Sequence, residues 1–339
     1  MDKLKVGLVG FGWFGRKHFN VLMNIPYVEV TAIADIRIKD ILSRYGKSFQ
    51  YSSYNQDVDE LYGLENVNFY NSVEELIAHE NIDVIDIVTD EENHYPVAKY
   101  ALEKGKDIIV EKPLTTRYEH ALKLKEIARK NDCKIYVGHI LRFDPRMRFI
   151  KYIISKGKIG DIRYISFKRN FSRDAFLVYG RTHPFLSAMI HDIDLALWFT
   201  GKKVVNAYGH VKYSLGHSSP DILIAILEHE GNILVRMENT WHVAKTCPYG
   251  FESEVVVYGD RATVRQTNVP VIEVWSITGV EYPDMFLWPN IDGKIEGALK
   301  YELEHFVEHI RKGEESPIIP LDDAIEAVRV AELLVASSK

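Results

Sequence analysis

Apolar positions follow two different rhythms along the chain. Up to about Gly138, short unbroken apolar runs alternate with helical patterns. Leu4 to Val9, Val28 to Ala34, Ile82 to Thr89, Asp107 to Val110 and Lys134 to Val137 read as buried strands. Between them lie a helix to Met23 with Phe19, Leu22 and Met23 on one face, and a charged helix from Ile38 to Tyr45. A capping box at Ser72 to Glu75 opens a short helix. Tyr95 to Lys104 is a helix closed by Gly105, and a second capping box at Thr116 to Glu119 opens a helix to Lys130. This alternation predicts an α/β fold whose N-terminal part is a Rossmann, doubly wound parallel sheet. The polar, tyrosine-rich stretch 46–71 is long for a connection in such a unit and is read as an insertion.

From Pro145 the rhythm changes. A helix over Met147 to Ser155 leads into a strand from Ile162 to Phe171. After an irregular stretch, a helix runs from Ser187 to Phe199 and is stopped by Gly201. Strands then follow without helices between them: Val204 to Tyr213, Ile222 to Glu228, Ile233 to Trp241, Glu254 to Tyr258, Ala262 to Arg265 and Val271 to Ile277. This predicts a C-terminal α+β domain with a large, mostly antiparallel open sheet. One face would pack on helices, and the other is available for homodimer or homotetramer contacts. Amphipathic helices over Ala298 to Arg311 and Asp322 to Ala336 close the chain. The expected domains are 1–122, binding a dinucleotide, and 123–339, for substrate and oligomer contacts, with the closing helices packing back on the first.

Composition narrows the function. The 339 residues carry a net charge of −6 with scattered basic positions, which gives no footprint for nucleic acid. No apolar run is long enough for a bilayer, and the N-terminus enters a strand without a leader pattern. Cys133 and Cys247 are far apart and lack metal-ligand spacing, as expected of a reducing cytoplasm, so no metal site is expected.

The chemistry concentrates at the strand ends. Gly10-Phe11-Gly12-Trp13-Phe14-Gly15 lies between a strand and a helix, and the next strand ends in Asp35. That is the dinucleotide-binding pattern. Gly10 allows the tight turn, Gly12 brings bare backbone to a pyrophosphate, and Gly15 packs helix on strand. The helix start attracts the phosphates, and Asp35 would accept both ribose hydroxyls. A carboxylate there favours NAD, while the neighbouring Arg37 leaves NADP open. Thr89, Lys112 and Gly138 end other strands and should border the same crevice, where an ammonium group stabilises the charge that hydride transfer builds on oxygen. Imidazole titrates near neutrality and suits proton transfer, which singles out His191. On a continuous helix Ser187, His191 and Asp194 would share one face. Arg142 is a further candidate for cofactor or substrate, and Lys168, Asn170, Tyr179, Arg181 and His183 are weaker ones for substrate.

The chain resembles the glucose-fructose oxidoreductase, inositol dehydrogenase and MocA-like (Gfo/Idh/MocA) family of NAD(P)-dependent dehydrogenases. The matches are the Gly10 to Gly15 fingerprint, Asn93-His94, Glu111-Lys112-Pro113, and His191-Asp192-Ile193-Asp194 followed by Trp198. The resemblance covers essentially the whole chain. It implies that Lys112 is the catalytic lysine, that Glu111 and His94 line the nicotinamide ribose, and that His191 transfers the proton. The implied substrate is a sugar, cyclitol or related polyol. Two departures stand out. Ser187 occupies a position where many members carry aspartate, which leaves Asp194, or Lys112 itself, to support the proton work. Asp90 stands where many have proline. The alternatives are an NAD-dependent glycosidase of the same fold and a non-catalytic NAD-binding sugar sensor.

Overall fold

The computed structural model describes residues 3–43, 63–277 and 279–338, which form two compact units. The first comprises the described residues up to Phe143 together with Phe286–Ile325. It opens with β1 (Leu4–Val9), α1 (Trp13–Met23), β2 (Val28–Ala34) and α2 (Ile38–Ser43). There follow β3 (Asn68–Tyr70), α3 (Val73–His79), β4 (Val84–Ile87), α4 (Glu91–Glu103), β5 (Asp107–Glu111), α5 (Tyr118–Lys130) and β6 (Ile135–Gly138). The strands form one parallel sheet in the order β3-β2-β1-β4-β5-β6. All four residues of β4 are buried. A strand covered on both faces must be apolar throughout, which is why these runs do not alternate. The order reverses between β1 and β4, the switch point where such sheets bind ligands.

The units divide at Phe143 and Asp144, beyond the expected boundary at residue 122. The cause is β6, which pairs with β5 from Ile108↔Ile135 to Glu111↔Gly138 and so belongs to the first sheet. In the expected place, Ser72 caps α3 by accepting the Glu75 N–H at 3.2 Å. The second capping box is a correction: Arg117 holds the N-cap of α5, and Thr116 Oγ1 bonds Glu92 Oε2 at 3.1 Å instead. A further correction concerns α4, which begins at Glu91 rather than Tyr95. Glu91 and Glu92 complement the positive end of the helix dipole, and Asp90 takes the N-cap position. The stretch 46–71 lies outside the described residues as far as 62. Its described end supplies the edge strand β3.

The second unit comprises Asp144–Met285 with the described part of the chain after residue 325. It contains α6 (Pro145–Ser155), β7 (Ile162–Phe171), α7 (Arg173–Tyr179), α8 (Pro184–Ser187), α9 (Ile190–Thr200) and β8 (Val204–Lys212). Then come β9 (Ile222–His229), β10 (Ile233–Thr240), β11 (Phe251–Gly259), β12 (Thr263–Thr267) and the hairpin of β13 (Val274–Ser276) and β14 (Gly279–Glu281). Its sheet runs β12-β11-β7-β10-β9-β8, antiparallel except between β7 and β10. Leu223, Ala225 and Leu227 face inward and are buried, while Ile224 and Ile226 face outward and are exposed. β15 (Asn290–Ile291), β16 (Lys294–Ile295) and α10 (Ala298–Lys312) return the chain to the first unit, where Asn20 bonds Gly293 and Ile295. α11 (Leu321–Ser337) closes the chain.

Two expectations fail in the second unit. The stretch read as irregular holds α7 and α8. The helix expected to start at Ser187 is broken: α8 ends there, and α9 starts at Ile190 after Ala188 and Met189. Pro184 and the His183 cap start their own short turn. Ala188 and Met189 keep right-handed helical φ/ψ, so the interruption is a kink between the two helices. Among the described residues, no helix is long and apolar enough to cross a membrane.

Candidate active site

In the first unit the candidate residues lie at the carboxyl ends of β1, β2, β4 and β5. Gly10 has φ +96°, and a Cβ there would collide with the Val88 carbonyl. A Cβ on Gly15 would strike the Gly10 carbonyl. Both positions therefore exclude side chains for steric reasons, as the pattern predicts. At Gly12 a Cβ would meet nothing within 4 Å, so the backbone lies open. Gly12 is also the N-cap of α1 and offers no side-chain bond of its own there. An open turn at an uncapped helix start fits a dinucleotide pyrophosphate.

Asp35 already has one bond on each carboxylate oxygen. Oδ2 accepts the Phe11 N–H at 2.8 Å, and Oδ1 accepts the Arg37 N–H at 2.7 Å. It thus ties β2 to the glycine turn, with one lone pair left on each oxygen. Trp13 and Phe14 stack on each other at 5.6 Å, and both meet Trp288 edge-on. Thr89 is half-buried, and Asn93 is exposed in the first turn of α4.

Lys112 follows the last residue of β5 and is half-buried, and the Lys112–Pro113 bond is cis. Both neighbours are pinned. The Lys112 N–H donates to Glu111 Oε2 at 3.2 Å. His94 Nδ1 lies 2.7 Å from the Pro113 carbonyl oxygen, and Nε2 lies 3.2 Å from that of Thr89. Burial holds the His94 imidazole below its usual pKa, so it is neutral. A neutral ring carries one N–H, and the nearer acceptor, the Pro113 carbonyl, ties it to the turn after Lys112. The Glu111 carboxylate is turned inward, with Oε1 3.6 Å from His18 Nε2. Gly138, opposite Glu111, leaves the space that this carboxylate occupies. Arg142 is another correction: it is fully buried, and its Nη1 bonds the Ile318 carbonyl and Asp323 at 2.8 Å each. Those bonds tie its loop to the segment before α11 and to the first turn of that helix.

The second unit carries His191 in the first turn of α9, half-buried, with Asp194 buried one turn further on. The start of α9 is anchored by Arg169 on β7. Its guanidinium meets Asp192 in a forked pair, with Nη2 2.7 Å from Oδ1 and Nε 3.0 Å from Oδ2. Burial outweighs the pull of Arg169 and holds the Asp192 carboxyl above its usual range. Ser187 is buried, and its hydroxyl lies 3.4 Å from the Thr182 carbonyl. Lys168 and Asn170 alternate with Arg169 along β7 and therefore face away from α9. Lys168 pairs with Glu252, and Asn170 bonds Glu238 and Glu252.

The other weak candidates have local tasks. His183 caps α8 by accepting the Phe185 N–H, and burial pushes its pKa down to about 4. Tyr179 packs near Trp241. Arg181 is exposed and bonds the Val178 carbonyl at 2.9 Å. Burial raises the Cys247 thiol pKa, which makes it a poor nucleophile.

Two family models of one oxidoreductase family match this chain. The Gfo/Idh/MocA model described as an oxidoreductase family with an NAD-binding Rossmann fold matches residues 4–139. Its C-terminal alpha/beta companion matches residues 151–339. The chain belongs to this oxidoreductase family. Among relatives, the scyllo-inositol 2-dehydrogenase (NAD(+)) of Bacillus subtilis is 24% identical over 95% of this chain and 90% of its own length. The myo-inositol 2-dehydrogenase of Thermotoga maritima is 24% identical over 92% of this chain and 89% of its own. The scyllo-inositol dehydrogenase of Lactobacillus casei, solved with NAD(H) and scyllo-inositol, shares the fold. Its TM-score is 0.79 at 20% identity, covering 99% of this chain and 97% of that one.

As a member of this family the chain is an NAD-dependent oxidoreductase. Sequence reasoning missed His18 and Asp86. Each is a charged or titratable residue inside an apolar run or on a helix face, and that setting was the available signal, since such residues are seldom fully buried without a partner.

Proposed function

We propose that this oxidoreductase moves hydride between C4 of a nicotinamide and a secondary alcohol carbon of a cyclitol, sugar or related polyol. The observation that carries the reading is the position of Lys112. It leaves a strand end in the same unit as the glycine turn, with Glu111 and His94 fixing the residues on either side. The kinship with inositol dehydrogenases supports the substrate class. Bound nicotinamide supplies the hydride acceptor. Lys112 orients the substrate hydroxyl and stabilises the negative charge on its oxygen as the C–H bond breaks. His191 takes the hydroxyl proton as the carbonyl forms, so hydride and proton leave the alcohol separately. In the reverse direction the same groups return them.

Asp35 would accept the adenosine ribose hydroxyls with its remaining lone pairs and repel a 2′-phosphate, which favours NAD over NADP. The outer face of the second sheet, with Tyr208, Ile224, Ile226, Leu234 and Tyr258 exposed, would join copies of the chain into a dimer or tetramer.

The test is NADH formation across a panel of inositol isomers, hexoses and hexitols. Lys112→Ala should lower kcat by about three orders of magnitude, the scale of a removed charge-stabilising donor. An unchanged rate with a polyol that the parent oxidises would refute the role of Lys112.

A further inference from the structure

Beneath the strand end that carries Lys112 lies a buried group of three ionisable side chains. His18 projects from α1 and is 1% exposed. Asp86 on β4 is fully buried, and Glu111 at the end of β5 is 7% exposed. His18 Nδ1 lies 2.9 Å from Asp86 Oδ2, and Nε2 lies 3.6 Å from Glu111 Oε1. Among the described residues, Asp86 Oδ1 and Glu111 Oε1 meet no hydrogen-bond donor. Phe14 covers the imidazole ring at 4.9 Å, and Gly138 on β6 closes the far side of Glu111. Two carboxylates thus face the imidazole from β4 and β5. Its own helix contributes Lys17, which is buried and lies over the Trp13 ring at 4.9 Å.

Buried charges persist only where they are paired. Burial alone would lower the His18 pKa, but Asp86 and Glu111 override it and raise the value to about 10. The imidazolium pairs with both carboxylates, and the second oxygen of Glu111 accepts the Lys112 N–H. A continuous link therefore runs from Asp86 through His18 and Glu111 to the backbone of Lys112.

We propose that His18 is a positioning residue for Lys112: held by Asp86, it fixes the Glu111 carboxylate that grips the Lys112 amide. Its contribution to turnover rests on the reading of Lys112 given above. Its grip on the amide does not.

The double substitution His18→Leu/Asp86→Val tests both. Replacing a buried ion pair with apolar groups commonly leaves stability near the parent value, while Glu111 loses its cation. In the full-length protein, exchange of the Lys112 amide should speed up by about tenfold or more, a readout that needs no substrate. Unchanged exchange overturns the proposal. With a polyol that the parent oxidises, kcat should fall about tenfold while KM stays within about threefold, as for an interaction expressed in the transition state. Recovery of kcat together with Tm would show a merely structural role and overturn it. If the parent oxidises no polyol, the functional reading fails, and amide exchange still decides this one. Should the double variant not fold, ¹⁵N spectra of the parent at pH 8 decide: both His18 ring nitrogens protonated supports the proposal, and a neutral ring overturns it.

Discussion

Replacing Arg169 with Met should unlock the start of the helix that carries His191. The guanidinium makes three contacts of 2.7–3.1 Å with Asp192, and the two side chains are 9% and 1% exposed. At about 3 Å and an effective dielectric near 20, the attraction is about 5–6 kcal/mol. Burial nevertheless keeps the Asp192 carboxyl above its ordinary pKa, so desolvation of that carboxylate outweighs the pull of Arg169 on it. Two consequences follow. Arg169→Met strands a buried carboxylate and should cost about 3–5 kcal/mol, whereas Arg169→Met/Asp192→Leu, which removes both charges, should stay within about 1 kcal/mol of the parent. For a unit of this size the single change corresponds to roughly 6–20 °C in the transition that unfolds it. The sign with pH is fixed. A carboxyl with a raised folded pKa destabilises above that pKa and is relieved by protonation. The Arg169→Met deficit is therefore full at neutral pH and shrinks as pH falls through the raised Asp192 value. Scanning calorimetry from pH 8 to pH 4 on the parent and the three variants of the cycle measures both effects. A single-variant loss below about 1 kcal/mol, or a deficit that grows on acidification, would refute the reasoning.

His18 gives the opposite pH signature. Its folded pKa, near 10 against 6.5 for the free group, means that its stabilisation is complete below pH 6.5 and lost as pH rises to about 10. Urea unfolding should show a decline of roughly 1.4 kcal/mol per pH unit in that window, and His18→Leu/Asp86→Val should flatten it. Gly15→Ala places a methyl against the Gly10 carbonyl and should cost about 1–3 kcal/mol by overpacking; calorimetry should find NAD binding lost with it. Asp35→Ala removes the acceptor for two backbone N–H groups as well as the ribose contact. NAD affinity should fall by about 10- to 100-fold, or about 1.5–3 kcal/mol, with preference over NADP reduced. Titration with both cofactors measures the two effects.

The first unit was legible because its signals are local. Gly10 and Gly15 are demanded by nearby backbone atoms, and the strands of a covered parallel sheet announce themselves as unbroken apolar runs. The errors share one cause, which is competition decided across the fold. Thr116 had the right spacing to cap α5, but its hydroxyl found Glu92 on a different helix. The helix expected from Ser187 is divided, because the His183 cap and Pro184 start a separate turn before it. Lys168 and Asn170 ended a strand in the right place. One residue of alternation put them on the outer face and gave the inward position to Arg169. Arg142 looked like a ligand because cations near strand ends often are, yet its partners lie at Ile318 and Asp323, far along the chain.

The same distinction explains the two histidines around Lys112. In the sequence His18 and His94 are alike, single imidazoles on helices that follow strand ends. In the fold each is 1% exposed. Burial lowers the pKa of both, so what differs is the partner set. Backbone carbonyls leave His94 neutral, and two carboxylates charge His18. A neutral ring can bridge toward Pro113 without adding charge beside Lys112, whereas a charged ring is needed to keep the Glu111 carboxylate in place. Exchanging their roles, by removing Asp86 or by giving His94 a carboxylate partner, should therefore disturb the lysine between them more than either substitution disturbs the sheet.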